Sequence, residues 1–112
     1  MRFQLPAIIK LLGAGALLLI FTFALQAGPA PDGGDLFKQN CAMCHGVDGK
    51  GYAALKTPDF TDPKVQASLT DKEIVEIIKN GKKGTAMPAF ANRLSDDQIQ
   101  SLVKYIRSLK GK

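Results

Sequence analysis

The chain's two cysteines stand three residues apart, directly before its single histidine, as Cys41-Ala42-Met43-Cys44-His45. No other stretch limits the fold so tightly, because two thiols and an imidazole at fixed spacing must be delivered together to whatever they hold. If residues 41 to 44 form a helical turn, the two sulfurs share a face and His45 follows immediately beneath them. A redox disulfide at this spacing belongs in a strand-helix-strand setting, and no strand run follows residue 30. Structural zinc takes four Cys or His ligands, one more than this motif offers. A porphyrin matches without remainder: two thioether bonds to vinyl groups on one edge of a haem, with His45 beneath the iron. Tethering the macrocycle beside the imidazole also gives that ligand a very high effective concentration at the metal.

Most other chemistries lack parts. A chain of 112 residues makes one domain, and a net charge of +5, with few aromatics and none interleaved among the basic residues, does not describe a nucleic-acid binder. There is no glycine-rich phosphate loop and no Ser/His/Asp set, and one histidine leaves little scope for general-base catalysis. An enzyme built on side chains alone is not expected.

The first residues are of another kind. Arg2 and Lys10 precede an uncharged apolar run from Leu11 to Leu25, followed by Gln26-Ala27-Gly28-Pro29-Ala30-Pro31. Basic, apolar and then small is the order of a secretory signal, assigned here to residues 1–27. The run falls short of the roughly 20 residues that a bilayer span requires, which favours removal over retention as a membrane anchor. Leu25 argues the other way, being larger than the small residue usual three places before a cut. Both outcomes export the domain, to the periplasm or the outer face of the inner membrane. Thioether attachment, like disulfide formation, is cysteine chemistry that belongs outside the reducing cytosol. Residues 28–34, rich in Pro and Gly, form a linker, and residues 35–112 the haem domain.

Along the domain the spacing predicts a first helix over Gly33 to Cys44, with Asp35 near its positive end and with Phe37, Cys41 and Cys44 on one face. Gly46 to Pro63 is a long loop with at most a turn around Ala53 and Leu55, the kind of segment that wraps a flat apolar cofactor. Pro58 is either a simple turn proline or a wall residue whose carbonyl accepts the free ring N–H of His45. Thr70-Asp71-Lys72-Glu73 is a capping box that opens a helix bearing Ile74, Val75, Ile77 and Ile78, stopped by Asn80-Gly81. Lys82 to Asn92 is a second loop. A lone methionine there is usually a core filler, but Met1 lies in the signal and Met43 inside the attachment turn. Only Met87, stiffened by Pro88, is free to approach an iron from the side opposite His45. Ser95-Asp96-Asp97-Gln98 opens the last helix, with a stripe of Ile99, Leu102, Val103, Ile106 and Leu109 and with Tyr105 placed to meet Phe37.

With these residues in view, the chain from about Gly33 to Leu109 resembles the small bacterial class I c-type cytochromes. The likeness rests on C-x-x-C-H near the start of the domain, Met87-Pro88 about forty residues on, Gly33 and Phe37 before the first cysteine, and Leu102 with Tyr105 in the closing helix. It implies an all-α fold in which the N- and C-terminal helices cross and loops wrap one haem. It further implies covalent haem c on Cys41 and Cys44, axial ligation by His45 and Met87, and a proline carbonyl, near Pro58, on the axial histidine. The function implied is one-electron transfer by a monomer between redox partner proteins. Lys82 and Lys83 beside the Met87 loop suit an acidic docking face. Two other readings stay open: the haem module of a larger exported dehydrogenase or oxidase, and a haem catalyst or sensor with an open iron position.

Overall fold

Asp32, itself extended, precedes the first helix, and its side chain accepts a 2.7 Å hydrogen bond from the Gly34 amide. That cap satisfies one of the orphan donors of helix α1, Gly33–Asn40. The computed structural model describes residues 31–112, so the signal reading of residues 1–27 and the first three linker residues, 28–30, lie outside it. The helix begins within the expected linker, two residues before Asp35. It also stops sooner than expected. Cys41, at φ −121°, breaks the run, and a separate turn α2, Ala42–His45, follows. Cys41 still donates its amide to the Phe37 carbonyl at 2.8 Å and accepts from the His45 amide at 2.9 Å, so the two helices meet at a hydrogen-bonded bend.

After a 3₁₀ turn over Ala53–Leu55 come α3, Pro63–Ser68, α4, Asp71–Asn80, and α5, Asp96–Ser108. Among the described residues there is no strand. Helix α3 was not expected from the pattern. Asp62 caps it and Pro63 takes its first turn, where a missing N–H costs nothing. Both remaining capping boxes form as read: Thr70 with Glu73 on α4 and Ser95 with Gln98 on α5. Gly81 closes α4 at φ 75°, a value that favours glycine.

The expected crossing of α1 and α5 is made at Gly33. A Cβ built there would run into the backbone carbonyl of Ser101 and come within 3.0 Å of Tyr105 Cβ. One helix turn on, Phe37 and Tyr105 pair with ring centroids 5.2 Å apart. Phe37, Ile99 and Leu102 are fully buried at the centre, with Val103, Ile106 and Leu109 continuing the α5 stripe. Helix α4 adds Ile74 and Ile78, while Val75 and Ile77 are only partly covered. The Lys79–Asp96 pair, 2.7 Å, joins the end of α4 to the start of α5. Being largely exposed, it adds little to stability.

The loop after α2 is held by side chains and amides. Gly51 donates to the His45 carbonyl at 2.8 Å, and Phe60 donates to the Gly49 carbonyl at 2.8 Å. Asp59 Oδ1 accepts from both the amide and the hydroxyl of Thr61, at 2.8 and 2.6 Å. These bonds, the hydroxyl first, hold the Asp59 carboxyl below its ordinary range.

Two measurements follow from this packing. Gly33→Ala forces Cβ against main chain that cannot turn aside, at a cost of about 1–3 kcal/mol, read as a fall in holoprotein Tm of several degrees. An unchanged Tm would mean that the crossing tolerates a methyl group. For Asp59 the sign is that of a depressed carboxyl: the stabilisation is present above the ordinary value of about 3.9 and is lost as pH falls through the lower folded value. The Thr61 amide resonance should therefore titrate below about pH 3.9, and Thr61→Val should move that midpoint upward.

Candidate haem-binding site

The attachment turn is positioned from both ends. On its N-terminal side α1 is fixed by the crossing at Gly33 and by buried Phe37; on its C-terminal side Gly46 donates to the Ala42 carbonyl at 2.9 Å. Ala42 is buried between them. Cys41 is half-buried and packs against the core, whereas Cys44 is exposed, so the bend at Cys41 leaves the two thiols on one turn but not on one buried face. Both are free thiols. Burial, together with the neighbouring Cys44, pushes the Cys41 thiol up to about 11. At neutral pH it is a protonated thiol, unlike the low-pKa attacking cysteine of a redox C-x-x-C pair. Met43, between them, is 89% exposed and contributes nothing to the core.

His45 lies in an aromatic niche. Its ring stacks on Phe60, centroids 5.1 Å apart and planes 20° from parallel, and Phe37 stands at 6.4 Å with its plane tilted by 51°. Burial lowers the imidazole pKa. The ring is therefore held neutral, the form that binds metal. Its Nδ1 is the one buried side-chain polar atom without a hydrogen-bond partner among the described residues. The anticipated bond from this atom to Pro58 is not made. The Pro58 carbonyl instead lies over Gly51, close enough that a Cβ there would meet it at 2.8 Å. An orphaned imidazole nitrogen, a neutral ring packed in a cluster with two aromatics, and two free thiols on the same turn fit a covalently tethered metalloporphyrin.

Met87 lies in the loop between α4 and α5, partly buried and packed on the core cluster that also receives Cys41. Its carbonyl accepts from the Lys82 amide at 3.3 Å and its amide donates to Thr85 Oγ1 at 3.2 Å. Beyond it, the Phe90 and Ala91 amides bond the Ile78 and Lys79 carbonyls at the end of α4, at 2.9 and 3.1 Å. Gly81 makes room: a Cβ there would come within 2.8 Å of the Met87 carbonyl. The loop is thus closed on the helix that precedes it, and Met87 is carried at its turn. Lys82 and Lys83 are exposed beside it.

Phe60 and the hydrogen bonds that hold it are the parts of the site that the pattern did not reveal. A lone phenylalanine in an irregular loop carries no periodicity. The Asp62-Pro63 helix start three residues later was the available sign that this loop is anchored.

Comparison with known proteins agrees with this geometry. Residues 28–106 match the family described as cytochrome C oxidase, cbb3-type, subunit III. The cbb3-type cytochrome c oxidase subunit FixP of Azorhizobium caulinodans is 39% identical over 82 residues, covering 73% of this chain; the chain spans only 28% of that relative's length. Cytochrome c6 of Leptolyngbya boryana is 43% identical over 77 residues, covering 69% of this chain and 88% of the relative. The solved structure of the KustC0563 c-type cytochrome superposes with a TM-score of 0.66 at 34% identity, covering 71% of this chain and 99% of that one. The chain belongs to the cytochrome c oxidase, cbb3-type, subunit III family and is a small class I c-type cytochrome, a family with covalently bound haem c.

Proposed function

We propose that Cys41 and Cys44 form the thioether bonds, that His45 and Met87 are the axial ligands, and that the protein works as an exported one-electron carrier rather than as an enzyme. The observation that carries this reading is the His45 imidazole, neutral, stacked on Phe60 and beside Phe37 on the turn that bears both thiols. When bound, the haem supplies a one-electron iron couple. The chain's own contribution is positional. Phe37 and Phe60 hold the imidazole, while the Lys82 amide and the Thr85 hydroxyl hold the backbone of Met87. Two protein ligands leave no position for a substrate, which favours outer-sphere transfer over bond-making chemistry, and a thioether donor favours reduced iron.

The domain proper is assigned to residues 35–112, preceded by the 28–34 linker and a signal at 1–27 that is either removed or kept as an anchor. No helix among the described residues is long and apolar enough to cross a membrane. Lys82 and Lys83 are offered to an acidic face on a redox partner. The family match favours a second reading, in which this domain is the haem module of a larger oxidase complex. FixP is named as a subunit of such an oxidase. Co-purification of the exported protein with oxidase subunits distinguishes module from free carrier.

Absorption spectra of the oxidised and reduced protein, with a pyridine haemochrome assay, test the assignment of ligands and attachment. Replacing either Cys41 or Cys44 by Ser should weaken covalent attachment. Replacing both should leave a largely unfolded apoprotein, because a domain of this size buries only about 60–65% of its unfolded surface and is marginal without a large apolar cofactor. A folded double variant without haem would defeat that expectation. Met87→Ala should abolish the weak near-infrared band of sulfur-ligated ferric haem and lower the reduction potential, each ~59 mV corresponding to about 1.4 kcal/mol for one electron. Met87→His should keep six-coordination and still lower it. A spectrum and potential unmoved by Met87→Ala would make Met87 a core residue and favour an open-iron catalyst.

A further inference from the structure

The loop that carries Met87, residues 81–95, leaves α4 at Asn80 and enters α5 at Asp96. Its returning half is tied to α4 by two amides, Phe90 to the Ile78 carbonyl and Ala91 to the Lys79 carbonyl. Lys79 is joined across the loop a second time by its side chain, whose ammonium lies 2.7 Å from Asp96 Oδ1. One residue at the end of α4 thus holds both the loop's return and the first residue of α5. Between these ties, the segment around Met87 has only short bonds of its own, from the Lys82 amide to the Met87 carbonyl and from the Met87 amide to Thr85 Oγ1.

Each charge of the pair stands at the helix end that favours it, the ammonium in the last turn of α4 and the carboxylate in the first turn of α5. The hydrogen bond from Asp96, and then its charge, hold the Lys79 pKa above its ordinary value. Glu76, the rival acceptor on the same helix, already accepts from Asn80 Nδ2 at 2.9 Å. Against unfolding of the whole domain an exposed pair counts for little. Opening of one loop breaks far fewer interactions, so the same pair is a larger share of what resists it.

We propose that Lys79 and Asp96 are positioning residues for Met87: their ion pair fixes the span between α4 and α5 and so restrains the opening of the loop that presents the thioether. This rests on the reading of Met87 as an axial ligand. Both residues act through the loop, Lys79 just before its start and Asp96 just past its end.

In ferric holoprotein, added imidazole can take the position opposite His45 only when the loop withdraws Met87, so at saturating imidazole the rate of binding is the rate of opening. Lys79→Met and Asp96→Asn should each raise that rate about two- to fivefold. The double variant should raise it no further than either alone, and Lys79→Arg should keep the wild-type rate. Added salt should speed opening in wild type and leave Lys79→Met unmoved. Asp97→Asn removes the same charge from the same helix end without touching the bond, and is the control. Wild-type rates in both single variants, or an equal rise in Asp97→Asn, overturn the proposal; a merely structural role would lower Tm and leave the rate alone. Native-state hydrogen exchange at the Phe90 and Ala91 amides reads the opening without reference to iron, and exchange no faster in the variants overturns the clasp itself. The ligand reading fails separately, in wild type: ferric protein without the near-infrared band of sulfur-ligated haem has no thioether on iron. The positioning role then falls with it, even where exchange is faster.

Discussion

The contact between the Gly33 backbone and the Ser101 carbonyl is the constraint from which the rest of the arrangement is hung. Helices can cross so closely only where one of them has no side chain at the contact. Once they do, Phe37 is driven into the centre against Tyr105, and the end of α1 is aimed at a fixed point. The attachment turn begins at that point. The first half of the haem site is thereby placed by packing between helices that carry none of its ligands.

The second half is placed by hydrogen bonds in irregular backbone. Between Gly46 and Asp62 there is one 3₁₀ turn and almost no buried apolar surface apart from Phe60. Local bonds from Gly51, Phe60 and Thr61 keep the loop in shape, and Gln66 attaches it to α5. The Met87 loop uses the same means, with amides beyond Met87 returning to the last carbonyls of α4. Each loop therefore closes polar backbone groups that burial would otherwise penalise; the first turns Phe60 inward, the second Phe90 and, in part, Met87.

How much of this was legible in the sequence divides along the same line. The capping boxes at Thr70 and Ser95, the Gly81 stop, the α5 stripe and the Phe37–Tyr105 pair could all be read, because each is a local rule or a helical period made visible by spacing. The motif Cys41-Ala42-Met43-Cys44-His45 announced its chemistry through residue type alone. The bend at Cys41 could not be read, since nothing in Gln39-Asn40-Cys41 breaks a helix by propensity. The unmade Pro58 bond shows why register in a loop escapes spacing: Pro58 lies seven positions after Gly51, yet its carbonyl folds back over that glycine. Arg107 was read as a cation suited to the helix C-terminus, and it proved to be a clamp whose partners lie 36 to 41 residues away. Pairings of that range leave no trace in a local window.

That range has a consequence for the order in which the molecule can be finished. The motif is complete by residue 45, yet the groups that immobilise the loop around it come from Ile106, Arg107 and Gly111, in the last turns of the chain. Closing such long segments is costly until the distant partner arrives. The turn carrying the thiols can thus form early and locally, while the wall that steadies its histidine waits for the C-terminal helix to dock. During that interval the thiols sit on a formed helix turn with one side still open. A bulky planar group is admitted most easily then, before the final helix shuts the fold around it.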